Sequence, residues 1–392
     1  MKLGLFYVLS VPYVAGLACF GGPVIGGFRL TGWVFVIMLA TAPLVFLLDR
    51  TPTRFPITCW IPWVTVVFLS LGWVDEIGRW QLQDACQIAT PFVIAPIASK
   101  AIKNEQDIAL LLRGFNHCLL ILLAATGLHF FSTVTVFVRP MALTAALVGC
   151  VFVAQVRNRP TLAIVGWLGC LLIAGLTGGR IATVALLMEW VLLPGFRRSW
   201  QKLVMGALIL ILAITLFYTP LFQERFFGED NRGTLADVKS GDYISSGRFT
   251  AWPILFEEVK RRPWIGSGIS SSGDLVKAVW EQATKPHNDY LRVLLEQGAL
   301  GLFCLIYGVT CQLVSLRKNL TSRHDERDVI RKAAILGFFV FLIVAFTDNP
   351  IVYGVWFMHP LLALAGASYP SGAAASTRNN QPALTRLESG SH

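Results

Sequence analysis

Charged residues are scarce in this sequence. Asp, Glu, Lys and Arg make up only 14% of its 392 residues, hydrophobic residues make up 55%, and the mean hydropathy is +0.61. Soluble globular domains carry about 25% charged residues. The shortage of charge therefore excludes an ordinary soluble domain and predicts an integral membrane protein.

Signatures of several enzyme classes are also missing. The chain has no Gly-Lys dipeptide and hence no phosphate-binding P-loop, which argues against an ATP-driven pump. The stretch from Ser270 to Gly273 lacks the G-x-S-x-G spacing of a hydrolase nucleophile elbow. The segments predicted to lie on the outer side of the membrane contain no D-x-D or H-E-x-x-H pattern, so we expect no metal and no cofactor.

Cysteine is present but is absent from the polar part of the chain. All eight cysteines fall inside apolar runs, and none forms a C-x-x-C pair. They are typical of small buried hydrophobic residues. The long polar segment 220–298 contains no cysteine, which excludes both a disulfide framework and a thiolate metal site there.

Long apolar runs recur along nearly the whole chain. At roughly 17 to 25 residues, such runs can cross a hydrocarbon core of about 30 Å. The sequence therefore predicts an all-α integral membrane protein with about twelve transmembrane helices in a single domain, residues 1–369. We interpret the first run as a retained helix, because it passes Cys19 without a signal-peptide cleavage site. The predicted spans are 5–20, 30–48, 57–74, 86–98, 108–131, 135–156, 161–177, 181–194, 203–219, 299–316, 333–346 and 351–366; the spans at 86–98 and 181–194 are short.

The basic residues orient these spans. With the amino terminus inside, 18 of the 33 Lys and Arg residues lie on the cytoplasmic side, 3 in short outer loops, 10 in one long outer loop and 2 within spans. This bias follows the positive-inside rule and predicts a multi-pass protein of the bacterial inner membrane with both termini in the cytoplasm. It also accounts for the net charge of +10, so we expect no nucleic-acid partner. The tail 370–392 is predicted to be disordered, and its last residues, 387–392, are open to interpretation as an expression remnant.

One periplasmic loop, at about 220–298, is far longer than the other connections. Loops of this length are usually functional or disordered. Its apolar pattern argues against disorder, because apolar residues recur at helical spacing after the capping-type residues Ser245 and Ser246. These residues predict a short amphipathic helix at the membrane surface or against the bundle; they are Phe249, Trp252, Phe256 and Val259.

The end of the loop predicts a second helix. It should start at Asn288 or Asp289, since both are favoured helix caps, and it should break or bend at Gly298 before the next span.

A few polar residues at the outer edges of spans are candidates for chemistry: Arg180, Arg248, His287 and Asp348. Each one taken alone also fits an interfacial anchor. Two arginines on one side of a membrane, however, suit the bidentate recognition of phosphate oxygens. A lipid diphosphate at the outer leaflet is the natural anionic ligand for such a pair.

Three motifs in the loop are more specific. They are Ser246-Gly247-Arg248-x-x-x-Trp252, Pro263-Trp264-Ile265-Gly266-Ser267-Gly268, and His287-Asn288-x-Tyr290-Leu291-x-x-Leu294-x-Glu296-x-Gly298-x-x-Gly301. With the layout of twelve spans and a long loop between the ninth and tenth, they resemble the family of bacterial O-antigen ligases. That family is related to O-antigen polymerases and to protein O-oligosaccharyltransferases.

The resemblance implies a fold similar to the GT-C-like membrane glycosyltransferases that use lipid-linked donors, without metal or nucleotide. The implied donor is a glycan linked to undecaprenyl diphosphate, and the implied acceptor is a sugar hydroxyl of lipid A-core. The enzyme would work among membrane lipids with its site facing the periplasm.

The resemblance also implies roles for the polar residues. His287 is the candidate catalytic residue, and the candidate substrate-binding residues are Arg180, Arg248, Asp348, Asn288 and Tyr290. We predict that His287 is a general base in an inverting transfer, because histidine has an unperturbed pKa of about 6.5 and a helix start disfavours the imidazolium. His287 could instead donate a hydrogen bond to phosphate or cap the helix, and Tyr290 also fits packing within its own helix.

Two alternatives to the ligase stay open. A polymerase that joins two lipid-linked units differs only in its acceptor. A transporter of lipid-linked sugars usually has internal repeats and charges near the bilayer midplane, and the sequence shows no repeat. Arg139 and His129, near the outer ends of their spans, could line the same cavity, although snorkelling is the simpler interpretation.

Overall fold

The computed structural model describes residues 3–21, 24–25, 28–74, 76–194, 206–207, 211, 214–215, 217–227, 234, 248–279, 285–320 and 325–370. This part of the chain is almost entirely helical. The strands in this part of the chain are those of a small antiparallel hairpin, β1 (Val24–Ile25) and β2 (Phe28–Arg29). The expectation of a helical membrane protein is confirmed at this level.

The helices follow one another along the chain in this order: α1 (Leu3–Leu17), α2 (Leu30–Leu48), α3 (Ile61–Leu69), α4 (Arg79–Ala101), α5 (Glu105–Phe131), α6 (Val138–Ala154), α7 (Pro160–Leu176), α8 (Arg180–Leu192), α9 (Pro220–Phe227), α10 (Arg248–Arg261), α11 (Ser271–Val279), α12 (Asp289–Lys318), α13 (Glu326–Val344) and α14 (Met358–Ala367). Short 3₁₀ helices extend α1 (Ala18–Phe20) and flank α3 (Ile57–Cys59 and Ser70–Trp73).

By length and composition, three of the described helices can cross a membrane: Leu3–Phe20, Glu105–Phe131 and Asp289–Lys318. Shorter apolar helices accompany them, among them Val138–Ala154 and Pro160–Leu176. The predicted number of twelve spans therefore stays a prediction, and most of the predicted span 203–219 lies outside the described residues.

Several helix boundaries in the structure differ from the predicted ones. Helix α4 begins at Arg79, earlier than the predicted 86, and is 23 residues long, so this element is not short. The hydropathy pattern missed its first turns because they carry polar residues, including Asp84, whose charge is paired inside the protein. Helix α14 begins at Met358, later than the predicted 351, because residues 350–357 form turns.

The centre of the bundle is α6, which is buried from Pro140 to Ala154 and packs against α5, α7, α8 and α13. Helix α14 packs between α4 and α13. The outside of the bundle is apolar as well: Leu47, Leu48 and Phe303 are 72%, 68% and 69% exposed. Large exposed apolar surface of this kind marks a membrane-facing surface.

The loop helices cover one end of the bundle. Helices α10 and α11 pack against each other and against α12. The helix predicted from the apolar pattern after Ser246 is confirmed as α10, and the helix predicted to start at Asn288 is confirmed as α12. In the predicted orientation this end faces the periplasm.

Candidate active site

The break predicted at Gly298 is confirmed and divides α12 into two parts. Gly298 has φ 66° and ψ −168°, which are not helical values. A helix break leaves carbonyls unpaired before it and N–H groups unpaired after it. The segment Pro263–Gly268, the second motif of the sequence, provides partners for both sets.

The hydrogen bonds run in both directions across this break. The N–H groups of Ser267 and Gly268 donate to the carbonyls of Leu295 (2.8 Å) and Glu296 (3.0 Å). After the break, the N–H of Ala299 donates to the carbonyl of Pro263 at 2.8 Å, and that of Leu300 donates to the carbonyl of Trp264 at 3.2 Å. The two motifs thus form one unit that fixes the first part of α12.

A buried charge network holds the same unit to α4. Asp84 of α4 accepts hydrogen bonds from Lys285 Nζ at 2.7 Å and from Arg292 Nη2 at 3.1 Å. Arg292 Nε also donates to Glu296 at 3.1 Å, and Ser272 of α11 donates to the same carboxylate at 2.5 Å. Because removing one partner of a buried pair strands the other charge, such a network fixes the positions of its members.

His287 lies between Lys285 of this network and the start of α12. Its backbone has φ 52°, a left-handed value that is uncommon outside glycine. The Asn288 side chain accepts the N–H of Leu291 at 2.9 Å and so caps α12. On the other side, the Trp252 indole N–H of α10 donates to the carbonyl of Pro286 at 2.8 Å.

Polar groups from two other elements surround the His287 ring. Arg139 Nη1 of α6 lies 3.1 Å from Nδ1 and 3.2 Å from Nε2. Asn349 Nδ2, after α13, lies 3.2 Å from Nδ1, and Asp348 Oδ1 lies 3.9 Å from the same nitrogen. Arg139 is in turn positioned by Asp348, whose Oδ2 lies 3.7 Å from Nε.

A cavity of about 150 Å³ opens beside these residues. Arg139 and Asp348 line it together with the turn from Thr177 to Ala182, which includes Arg180. Arg180 is the first residue of α8, so the amino-terminal end of that helix also faces the cavity. Helix amino termini carry unpaired N–H groups and a positive partial charge, which favour anions.

The structure places the predicted site residues as follows. Arg180 and Asp348 line the cavity, and His287 adjoins it through Arg139 and Asp348. Arg248 is the first residue of α10, which reaches His287's segment through Trp252, but its side chain lies outside what the structure describes. Their functional roles stay predictions.

Asn288 and Tyr290 are engaged in structural contacts. Asn288 is the helix cap, and the Tyr290 hydroxyl donates to the carbonyl of Leu342 at 2.8 Å, which ties α12 to α13. The packing alternative for Tyr290 thus has a specific contact to support it, and a role of either residue toward substrate stays a prediction.

Two residues of the cluster are not among the predicted site residues. For Arg139 the sequence leaves a place at the cavity open beside snorkelling, and the structure shows it in contact with His287; an arginine inside a predicted span is itself a signal of function. Asn349 follows Asp348 in the sequence and had no signal of its own. His129, the other residue left open, is exposed and contacts Phe130.

Among the residues that the structure describes, no group of three His, Cys, Asp or Glu side chains is placed to hold a metal ion.

Residues 162–306 match a family model described as O-antigen ligase. The matched segment runs from α7 into α12 and includes Arg180, Arg248 and His287, while Arg139 and Asp348 lie outside it. The resemblance stated from the sequence is confirmed over this segment. None of the curated proteins compared with the chain matches it.

Proposed function

We propose that this protein is a membrane glycosyltransferase of the O-antigen ligase type, which moves a glycan from a lipid diphosphate to a sugar hydroxyl. The observation that carries the proposal is the cavity in which Arg139, Arg180 and the amino terminus of α8 converge beside His287. The family match over residues 162–306 supports lipid-linked glycan transfer of the ligase or polymerase type.

The cationic side of the cavity suits the diphosphate of the donor. Arg180 and the first turn of α8 present N–H donors and positive charge to the cavity, and Arg139 presents a second guanidinium. Arginine retains its charge at every relevant pH and binds phosphate oxygens in pairs. These groups would bind the diphosphate and stabilise the negative charge that grows on it as the sugar departs. We place Arg248 in the same role from its position in the motif.

In the proposed reaction, His287 is the general base. The acceptor hydroxyl oxygen attacks the anomeric carbon and forms the new glycosidic bond, while its proton moves to the imidazole. The bond from the anomeric carbon to the diphosphate oxygen breaks, and its electron pair remains on the diphosphate. Attack opposite to the leaving group inverts the anomeric configuration.

The position of His287 supports this role. A base must be neutral, and both Arg139 at 3.1 Å and the amino terminus of α12 oppose a positive charge on the ring. Asp348 acts in the opposite direction at 3.9 Å, but it lies close to Arg139 as well, which offsets part of its charge.

We propose the donor to be a glycan on undecaprenyl diphosphate and the acceptor to be lipid A-core, at the periplasmic face of a bacterial inner membrane. The support is the family match and the bias of 18 basic residues inside against 3 in short outer loops. Labelling of a cysteine placed at Lys318 by an impermeant reagent in intact cells would contradict this orientation.

Conservative substitution of the arginines tests the proposal. In Arg180→Lys and Arg248→Lys the charge remains but the planar fork is lost, so we expect transfer by the purified protein to fall by about 100-fold, within the range of about 10²- to 10³-fold for a lost electrostatic donor. Donor binding should weaken in the same variants. The matched control is Arg261→Lys, whose side chain is 77% exposed on α10, and it should behave as wild type. Near wild-type turnover in both test variants would remove their proposed role.

A further inference from the structure

Asn349 is the second polar neighbour of the His287 ring, and it is held rigidly. The residue is 1% exposed. Its backbone N–H donates to Asp348 Oδ1 at 2.9 Å, and its backbone carbonyl accepts a hydrogen bond from the N–H of Tyr353 at 3.1 Å. Its side-chain amide faces His287, with the atom assigned as Nδ2 lying 3.2 Å from Nδ1.

The two ends of this amide have opposite consequences for the imidazole. If the NH₂ end faces Nδ1, it donates to that nitrogen, so the ring proton must be on Nε2. If the oxygen faces Nδ1, it accepts a proton carried by Nδ1, and Nε2 keeps its lone pair. The two ends have nearly the same shape, and the partners around them decide which one faces the ring.

The surroundings of the amide end that points away from His287 do not indicate which of these two states is present. With the NH₂ end toward the ring, the Asn349 oxygen is buried without a hydrogen-bond partner in the described part of the chain. The distances from Arg139 fit both states as well, since Nη1 lies 3.1 Å from Nδ1 and 3.2 Å from Nε2. The proposed role of His287 therefore determines which end of the amide faces the ring, because only a ring nitrogen with a lone pair can accept the proton of an acceptor hydroxyl.

We propose that Asn349 is a positioning residue that fixes the tautomer of His287: its side-chain oxygen accepts the proton on Nδ1 and leaves Nε2 as the basic nitrogen. This inference rests on the proposed function, in which His287 is the base. The tautomer distinguishes His287 as the base from the alternative in which His287 carries its proton on Nε2 and only donates a hydrogen bond to phosphate.

The same arrangement couples the base to the donor. In the fixed tautomer Arg139 donates to the Nε2 lone pair across 3.2 Å. A diphosphate in the cavity lined by Arg139 is a stronger acceptor for a guanidinium than a neutral imidazole is. Binding of the donor would therefore draw Arg139 away and free Nε2 to take the acceptor's proton.

The tautomer can be measured directly and without any substrate. In the purified full-length protein with ¹⁵N-labelled histidine, the two His287 signals are assigned by their loss in His287→Gln. We expect a protonated Nδ1 and an unprotonated Nε2 in the wild type and in Asn349→Asp, whose carboxylate can only accept. In Asn349→Leu, which has a similar shape and no acceptor, the signals should shift toward the other tautomer.

Transfer activity provides the second measurement. We expect Asn349→Leu to lower kcat by about 10- to 100-fold with little change in KM for the donor, as for other groups that orient a functional histidine. Asn349→Asp should keep kcat within a few-fold of wild type. Asn116→Leu on α5, an amide-to-leucine change away from the cavity, is the matched control and should change neither measurement.

The pH profile separates positioning from a merely structural role. The charged groups around His287 are Arg139 and Asp348 beside the ring, Arg180 at the adjoining cavity, and Lys285 and Asp289 on its own segment. Asn349→Asp adds a negative charge that favours the imidazolium and raises the pKa of His287. Because the base must be neutral, the loss of activity at low pH should move to higher pH in this variant alone.

Two results would overturn the inference: a wild-type His287 protonated on Nε2, or an Asn349→Leu variant that keeps both the wild-type tautomer and the wild-type kcat. A protein that shows the expected tautomer but transfers no glycan would contradict the proposed function instead, and the role of Asn349 in fixing the ring would stand.

Discussion

His287 keeps a left-handed backbone conformation, with φ 52°. Such strain costs of the order of 1 to 3 kcal/mol and persists only where the surroundings impose it. Here they do so on both sides, through the Asn288 cap and through the Asp289 N–H, which donates to the carbonyl of Ala345 at 2.8 Å. These contacts therefore keep the backbone of His287 in its strained conformation, in the residue whose ring contacts Arg139 and Asn349.

Replacing His287 by Gln tests its role as the base. Glutamine keeps a polar side chain but cannot take up a proton, so we expect transfer to fall by about 10²- to 10⁴-fold while the protein still folds and binds donor. In the wild type, activity should decline as the pH falls and the imidazole becomes protonated, because the imidazolium has no lone pair. Both are measured with purified protein across a pH series.

The matched control for this substitution is His129→Gln, at the exposed outer end of α5, and it should retain wild-type transfer and the wild-type pH profile. Full turnover by His287→Gln would refute a proton-accepting role.

Sequence motifs identified only part of this cluster. Arg180, His287 and Asp348 lie beside short signatures at span edges, so the sequence could point to each of them. Arg139 and Asn349 join the cluster through contacts across 148 and 62 residues of sequence. Such contacts depend on how α6 and the segment after α13 pack against α12, which no local pattern records.

At the scale of elements, the unit of Pro263–Gly268 and the broken helix α12 positions the histidine. The approach of the two chains is close at the break: a Cβ placed on Gly298 would lie 2.3 Å from the carbonyl carbon of Trp264. A Cβ on Gly266 would lie 2.5 Å from the backbone nitrogen of Gln297. Both glycines also have positive φ, so each is needed for space and for conformation.

Gly298→Ala should therefore disrupt the unit. The strain and the clash together should lower the free energy of unfolding by about 2 kcal/mol or more, and transfer should fall because His287 loses its fixed position. The change is measured as the Tm of purified protein in detergent together with its turnover. The matched control is Gly127→Ala inside α5, where no heavy atom lies within 4 Å of the added methyl group.

We expect Gly127→Ala to be neutral or slightly stabilising, because alanine is favoured over glycine inside a helix. Equal stability of both variants would contradict the unit that we describe.

The sequence predicted these elements well where local signals exist. The apolar spacing located α10, the Asn288 cap located the start of α12, and Gly298 located its break. The sequence did not predict the first turns of α4. Asp84 alone is typical of a polar loop, and only the structure shows that Arg292 and Lys285 pair with it. The partners that make a buried charge acceptable come from a segment about 200 residues further along the chain.

At the scale of the whole molecule, an apolar bundle carries its polar cluster at one end. Helices α6 and α8 begin there and α13 ends there, which brings Arg139, Arg180 and Asp348 around one cavity. This asymmetry suits a reaction at a single membrane face.

The central claim is tested most directly by transfer with purified protein in lipid vesicles. The vesicles contain an undecaprenyl-diphosphate-linked glycan, with or without lipid A-core, in the presence and absence of a chelator. We expect glycan attached to lipid A-core, release of undecaprenyl diphosphate, no product from donor alone, and no effect of the chelator. Lengthening of the glycan from donor alone would identify a polymerase instead, and loss of transfer on chelation, or no transfer to any acceptor by protein that binds donor, would contradict the proposed reaction.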